Sequence, residues 1–471
     1  MALPSFLDRE RSIAPPGYSR WLVPPAALAI HLSIGQAYAF SVFNLPLSKL
    51  IGGATASPAD WKLSTIGWIF SVAIVFLGLS AATWGAWLER VGPRKAMFVS
   101  ACCFGGGFLI GSIGIRTHQF WLLLLGYGVL GGIGLGLGYI SPVSTLIKWF
   151  PDRPGMATGM AIMGFGGGAM IGSPLSVKLM DTYKASATHG LSETFVTLGI
   201  LYFCFMMIGV VLVRLPASVD TPMPTATTEM RMKNTMEWRP GTGGTAAAAT
   251  GVRQVPVNEA WRTKQFWLLW FVLLFNVTAG IGVLGQASAM IQEFFPGRIT
   301  AASAAGFVGL LSLTNMAGRF FWSTTSDKIG RKPTYMIFFA LGALLYCLVP
   351  TAGAMGSVGL FVTLYAVILT MYGGGFATIP AYLRDLFGTI QVGAIHGRLL
   401  TAWSTAGVLG PVLVNYIREY QIAHGVAKAA SYNTTMYIMA SLLVVGFIAN
   451  LLVRPLATSS DHIAATRPVA A

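Results

Sequence analysis

Residues 85–95 read Gly85-Ala86-Trp87-Leu88-Glu89-Arg90-Val91-Gly92-Pro93-Arg94-Lys95. The theme returns 238 positions later, in Ser323 and in Asp327-Lys328-Ile329-Gly330-Arg331-Lys332. At the same offset Tyr127 falls on Tyr365, Gly136 on Gly374, Pro142 on Pro380 and Gly172 on Gly410. One shift that brings so many unrelated positions into register marks a tandem repeat. Working outward from the two turns, apolar runs of spanning length occupy 21–43, 64–87, 96–115, 119–143, 156–177 and 194–213. A second set follows at 265–288, 301–324, 334–351, 357–380, 393–416 and 433–453. A run of about 20 apolar residues crosses a hydrocarbon core of ~30 Å. The expected fold is therefore an all-α membrane protein of twelve transmembrane helices, in two six-helix pseudo-symmetric halves.

Composition agrees. Of 471 residues, 54% are apolar and only 10% charged, with a mean hydropathy of +0.66, whereas soluble chains carry about 25% charge. Cys102, Cys103, Cys204 and Cys347 all lie in apolar runs, which excludes a disulfide framework or a zinc ribbon. The N-terminus lacks a small-residue cleavage site, so no signal peptide is expected. The expected organisation is a tail at 1–20, a six-helix bundle at 21–213, a Thr/Pro/Ala/Gly-rich linker at 214–264, a second bundle at 265–453 and a tail at 454–471. With both termini inside, cytoplasmic segments hold 22 Lys and Arg, counting Arg398 at the cytoplasmic start of the eleventh run, and outer loops 8. That bias places both termini in the cytoplasm of a multi-pass inner-membrane protein. The net charge of +15 is then a topology signal, with no nucleic acid implied.

In the repeated turn a helix-end acid can pair with nearby bases while Gly permits a tight turn. Gly85, Glu89, Arg90, Gly92 and Arg94, with Asp327, Lys328, Gly330 and Arg331, are read as a conformational latch. Here the chain resembles the major facilitator superfamily, whose signature loop has the form G-x-x-x-D-[RK]-x-G-[RK]-[RK]; Glu89, Pro93 and Ser323 depart from it. Halves in parallel repeat bind substrate near mid-membrane and rock around it. The many glycines of spans four and five suit close helix packing; without a preceding strand they do not form a dinucleotide loop.

The most informative residue is Arg319. Every Asp and Glu can be placed in a loop, tail or helix end, whereas Arg319 lies eight residues before Asp327. At 1.5 Å per residue that is about 12 Å deeper, near mid-membrane. A cation there is costly and is kept for a partner or a function. The partner is read as an anionic substrate; the alternative is a side chain snorkelling to the cytoplasmic face. Asn315 and Ser312, at i−4 and i−7, complete a polar stripe that snorkelling does not require, and Asn315 is read as a second substrate-binding residue beside Arg319. A guanidinium matches a carboxylate bidentately, and because the repeat mate of Arg319 is Ala81, one fixed charge suits a monoanion. His31, the only histidine expected within a span, is either a proton carrier or a neutral packing residue. Tyr38 shares its helix face. Among aromatic residues near mid-depth, Tyr127, Tyr372 and Trp403 are the preferred cavity walls.

Further stretches resemble the oxalate:formate antiporter family and its monocarboxylate transporter relatives. They are Lys148-Trp149-Phe150-Pro151-Asp152-Arg153 with Gly155, Arg262-Thr263-Lys264-Gln265-Phe266-Trp267, Asn315 through Arg319 into Ser326–Arg331, Gly373 to Pro380, and Asp385-Leu386-Phe387-Gly388. The resemblance covers about residues 20–455. It implies an exchanger or symporter in which the eighth-span arginine, matched by Arg319, grips the carboxylate. Trp403 stands where oxalate exchangers carry a second cation in span eleven, and Asn315 where animal monocarboxylate carriers carry an aspartate. The expectation is a secondary transporter of a small monocarboxylate such as lactate, pyruvate or formate, coupled to protons or to anion exchange and acting as a monomer in the lipid bilayer. The rivals are an oxalate:formate antiporter and a non-transporting carboxylate sensor. Neither enzyme activity nor a metal or cofactor is expected, for want of an intramembrane acid, a metal cluster or a nucleophile–base pair.

Overall fold

The computed structural model describes residues 6–53, 57–217, 254–284 and 287–456. Among these, twelve long helices carry the chain. In the first half they are α1 (Arg20–Asn44), α2 (Leu63–Val91), α3 (Pro93–Arg116), α4 (Phe120–Trp149), α5 (Pro154–Thr182) and α6 (Leu191–Leu212). In the second they are α7 (Lys264–Leu284), α8 (Ala301–Ile329), α9 (Arg331–Ala354), α10 (Val358–Phe387), α11 (Val392–Ala423) and α12 (Asn433–Leu452). Eleven are long and apolar enough to cross a membrane. The twelfth, α8, has 29 residues, or about 43 Å at 1.5 Å per residue. Ser312, Thr314, Asn315, Arg319, Ser323 and Ser326 dilute its apolar character. The chain is a multi-pass membrane protein, and α8, the helix that carries these polar side chains, also carries the buried arginine.

Of the expected linker at 214–264, residues 218–253 lie outside the described residues, as do tail residues 1–5 and 457–471. The described linker ends are tied down. Leu215 and Ile13 form a parallel bridge, and the Val255 N–H donates to the Phe387 carbonyl at 2.9 Å. Arg398 donates to the Val257 carbonyl at 2.9 Å and to Asn258 Oδ1 at 2.8 Å.

The halves meet through α5 against α8 and α10, and through α2 against α11. The contact obeys the repeat. Gly159 of α5 approaches the backbone of α8 so closely that a Cβ would lie 3.0 Å from the Arg319 carbonyl oxygen. Gly397, its mate at 238 positions, packs more tightly still: a Cβ there would lie 2.1 Å from the carbonyl oxygen of Ala81, the mate of Arg319. The turns correspond as well: Gly92 (φ 86°) and Gly330 (φ 91°) join α2 to α3 and α8 to α9 in a conformation that only glycine adopts without strain. Overpacking a close interface costs about 1–3 kcal/mol. Gly159→Val is therefore expected to depopulate the closed α5–α8 contact by about ten- to hundredfold. Spin-label distances between the halves would show the opening, with insertion unchanged.

Candidate functional site

Arg319 is fully buried. Its Nε donates to Asn315 Oδ1 at 3.0 Å, one turn back on α8, and its Nη1 donates to the Ile162 carbonyl at 3.4 Å, on α5 of the other half. Nη2 makes no hydrogen bond of ordinary geometry, although the Tyr38 and Tyr139 hydroxyls lie beside the guanidinium, and among the described residues no carboxylate pairs with it. It sits instead against two rings, 5.6 Å from Phe165 on α5 and 5.3 Å from Phe376 on α10. Such cation–π contacts contribute about 0.5–2 kcal/mol each, too little to replace the hydration of a cation. The side chain does not snorkel. Asn315, expected to touch substrate, spends its carbonyl oxygen aiming the guanidinium.

The structure gathers four of the expected residues here. Tyr38 and Tyr372, from opposite halves, share a hydroxyl–hydroxyl hydrogen bond of 3.2 Å. Gly35–Ala39 is a 3₁₀ segment within α1, and the Tyr38 ring it carries packs on Phe165 at 4.8 Å. The Tyr372 ring packs on Phe376 at 5.2 Å. Trp403, fully buried, lies 4.5 Å from Phe376 and 5.6 Å from Phe165. His31 is buried beside them, its ring edge-on to Tyr139 at 5.4 Å, with no hydrogen bond of ordinary geometry at either nitrogen.

Tyr127 is not brought to this group. Its ring contacts are Phe40, Phe108 and Phe195, in the aromatic core of the first half. Its repeat mate Tyr365 packs likewise on Phe307 and Phe361 in the second. Two tyrosines in register fill two equivalent cores, so the repeat itself marked them as fold residues. Nor is His31 the only histidine in a span, because His396 is buried in α11, with its ring 5.8 Å from Tyr139. Phe165 and Tyr139 were also missed. The repeat held a signal for Phe165, which falls on Trp403 at the same offset; Tyr139 falls on Ala377 and carries no such signal.

At one end of the bundle the two turns act across the halves. The Asp327 carboxylate accepts from the Gly155 and Met156 N–H groups at 2.9 and 2.8 Å, at the N-terminus of α5. Glu89 accepts from the Gly393 N–H at 3.1 Å, at the N-terminus of α11. Gly155 and Gly393 are repeat mates, so each acid caps the equivalent helix of the other half. Helix N-termini carry unpaired donors and partial positive charge, which suits a carboxylate. Each acid also holds a base of its own half: Glu89 pairs with Lys148 at 2.5 Å and Asp327 with Arg331 at 2.6 Å. Arg331 goes on to Asp385 at 3.0 Å.

Three expected latch bases act otherwise. Arg94 turns away from Glu89 and donates to the Phe6, Arg11 and Val213 carbonyls at 2.9, 3.0 and 3.3 Å. Lys332, its mate, donates to the Leu451 and Val453 carbonyls at 2.6 and 2.9 Å. Lys332 satisfies orphan carbonyls at the end of α12 and Arg94 one at the end of α6, where a cation is favoured, and Arg94 also ties down two carbonyls of the N-terminal segment. Arg90 and Lys328 are exposed, because water solvates their charge better than a second partner could. Gly85 serves by close approach, since a Cβ there would meet Ala394 Cα at 2.7 Å.

Two bundles related by a repeat thus meet on paired glycines, are capped across their interface by paired acids, and enclose a buried cation that no carboxylate pairs with among the described residues. Known proteins resemble this chain in sequence and in fold. The chain is 25% identical to the oxalate:formate antiporter of Oxalobacter formigenes, over 83% of each chain. It is 24% identical to apicoplast pyruvate carrier 1 of Toxoplasma gondii, over 73% of this chain and 68% of that one. Its fold matches the crystal structure of FucP, a Major Facilitator Superfamily transporter in the outward conformation, with a TM-score of 0.63 at 15% identity, covering 92% of this chain and 99% of that one. The Major Facilitator Superfamily model itself matches residues 18–411, and the chain belongs to that superfamily of transporters.

Proposed function

We propose that this protein is a secondary active transporter of a small monocarboxylate such as lactate, pyruvate or formate, with Arg319 as the anion anchor. One observation carries the reading: a fully buried guanidinium with no hydrogen bond of ordinary geometry at Nη2 and, among the described residues, no carboxylate beside it. A buried cation is stable only when paired, and a carboxylate ligand completes its fork. Asn315 orients the fork, while Tyr38, Tyr372 and Trp403 wall the site. The kinship with an oxalate:formate antiporter and a pyruvate carrier supports the carboxylate class.

The Lys/Arg bias assigns the latch end and both termini to the cytoplasm of the inner membrane. With the cytoplasmic end capped by Glu89 and Asp327, substrate enters from outside. Its charge neutralises Arg319, which lowers the cost of occluding the site, and closure follows only so far as the anion binds the occluded state better. The unit of transport is a monomer, because the site is completed within one chain. A coupling proton would ride on His31 or on the substrate; without one, the carrier exchanges anions.

Proteoliposomes containing the purified protein test this. Labelled lactate is expected to accumulate, and to be competed by pyruvate and formate more strongly than by succinate. Uptake that requires internal anion and ignores a pH gradient identifies exchange; uptake driven by the gradient alone identifies symport. Binding without flux would make the protein a sensor. Oxalate outcompeting every monocarboxylate would make it an oxalate exchanger despite its single cation.

A further inference from the structure

Trp403 has an indole N–H that the fold does not use. The side chain is fully buried and Nε1 has no hydrogen-bond partner. Buried tryptophans ordinarily place that N–H, their sole polar group, on an acceptor. Packing does not explain its presence. Trp403 is the repeat mate of Phe165, and the two rings contact each other at 5.6 Å, so a pair of equivalent positions meets on the pseudo-twofold axis of the molecule. One half fills its share with a plain phenyl ring. The other adds a donor.

A second unused donor lies in the same cage. Phe165 and Phe376, which Trp403 contacts at 5.6 and 4.5 Å, are the rings that flank the Arg319 guanidinium at 5.6 and 5.3 Å. Arg319 Nη2 is also unpartnered. One charged and one neutral donor thus lie unpartnered against the same two rings, at the contact between the halves, where repeat transporters bind substrate.

From this we infer that Trp403 Nε1 binds a second, uncharged oxygen of the ligand, so that the site selects 2-oxo and 2-hydroxy monocarboxylic acids over simple carboxylic acids of the same length. The inference rests on the reading of Arg319 as carboxylate anchor. A carboxylate takes the guanidinium, and the keto or hydroxyl oxygen on the adjacent carbon takes the indole. Acids without that oxygen leave the N–H buried and unpaired. A second carboxylate would gain a hydrogen bond and no countercharge, so dicarboxylates are disfavoured.

The test compares pyruvate, lactate and propionate, three-carbon monoanions that differ at the second carbon. In proteoliposomes the wild type is expected to prefer pyruvate and lactate to propionate by about tenfold or more in kcat/KM, a modest value for one hydrogen bond whose loss leaves a buried partner unpaired. Trp403→Phe keeps a ring and removes the donor. It should collapse the pyruvate-to-propionate ratio to about twofold or less, with pyruvate losing more than propionate. If the variant does not transport, the same ratio of dissociation constants is read by titration calorimetry on both purified proteins. A wild-type ratio near one, or a ratio that survives Trp403→Phe, overturns the inference and leaves the anchor intact. Failure of the wild type to take up any of the three acids overturns the anchor reading instead.

Discussion

Arg319→Gln abolishes carboxylate uptake and leaves the protein folded; that is the largest single effect expected. Truncating one partner of a buried, hydrogen-bonded charge pair costs about 2–5 kcal/mol, or between one and a half and three and a half decades of affinity at about 1.4 kcal/mol per decade. Arg319→Lys keeps the charge and loses the planar fork, so a partial loss of about tenfold is expected. Stability should move the other way. The ligand-free protein buries an uncompensated cation, and its removal is expected to leave the melting temperature unchanged or raised, since unpaired buried charge destabilises. Ligand-induced stabilisation, present in the wild type at saturating pyruvate, should vanish in Arg319→Gln. A thermal-shift titration reads both at once. An equal shift with pyruvate in the two proteins would remove Arg319 from the site.

The second large effect is at the latch. Asp327 places its carboxylate on two N–H groups of the opposite half, at 2.9 and 2.8 Å, and on Arg331 at 2.6 Å. Asp327→Asn removes the charge at near-constant volume. A carboxylate at a partly buried helix N-terminus contributes up to ~2 kcal/mol, so the population with the latch end closed is expected to fall by about ten- to thirtyfold. Spin labels at the exposed positions Arg90 and Lys328, one in each half, would report a longer distance in the variant. Glu89→Gln should act in the same direction and less strongly, since Glu89 holds one N–H of the other half where Asp327 holds two. An unchanged distance distribution in both variants would mean that the glycine contacts alone close this end.

The fold was legible because lipid imposes simple rules. Spanning runs must be long and apolar, and a repeat announces itself by one offset. Arg319 was legible for the same reason, since a charge at that depth stands out against apolar neighbours. The latch was half legible. The acids could be singled out, but their true partners are backbone N–H groups of Gly155 and Gly393, which carry no side-chain signature. Arg94 was misread because the backbone carbonyls it meets are equally silent in sequence. Tyr127 was misread because depth along a helix does not say which way a ring faces; its face is set by Phe40, Phe108 and Phe195, from elements distant in sequence. His396 was overlooked among short-range patterns, though it lies within the expected eleventh span. The cage of Phe165, Phe376 and Trp403 brings together residues of three helices from both halves, and only Phe165 and Trp403 were linked by the repeat.

The central claim is that a carboxylate completes the Arg319 fork at the middle of the membrane. An experimental structure of the purified protein saturated with pyruvate tests it most directly. The account predicts ligand density between α5 and α8, with a carboxylate oxygen within hydrogen-bond reach of Arg319 Nη2 (about 2.7–2.9 Å) and enclosed by Phe165, Phe376 and Trp403. A guanidinium swung out to water at the latch end, with the ligand bound elsewhere or the central chamber empty, would contradict it.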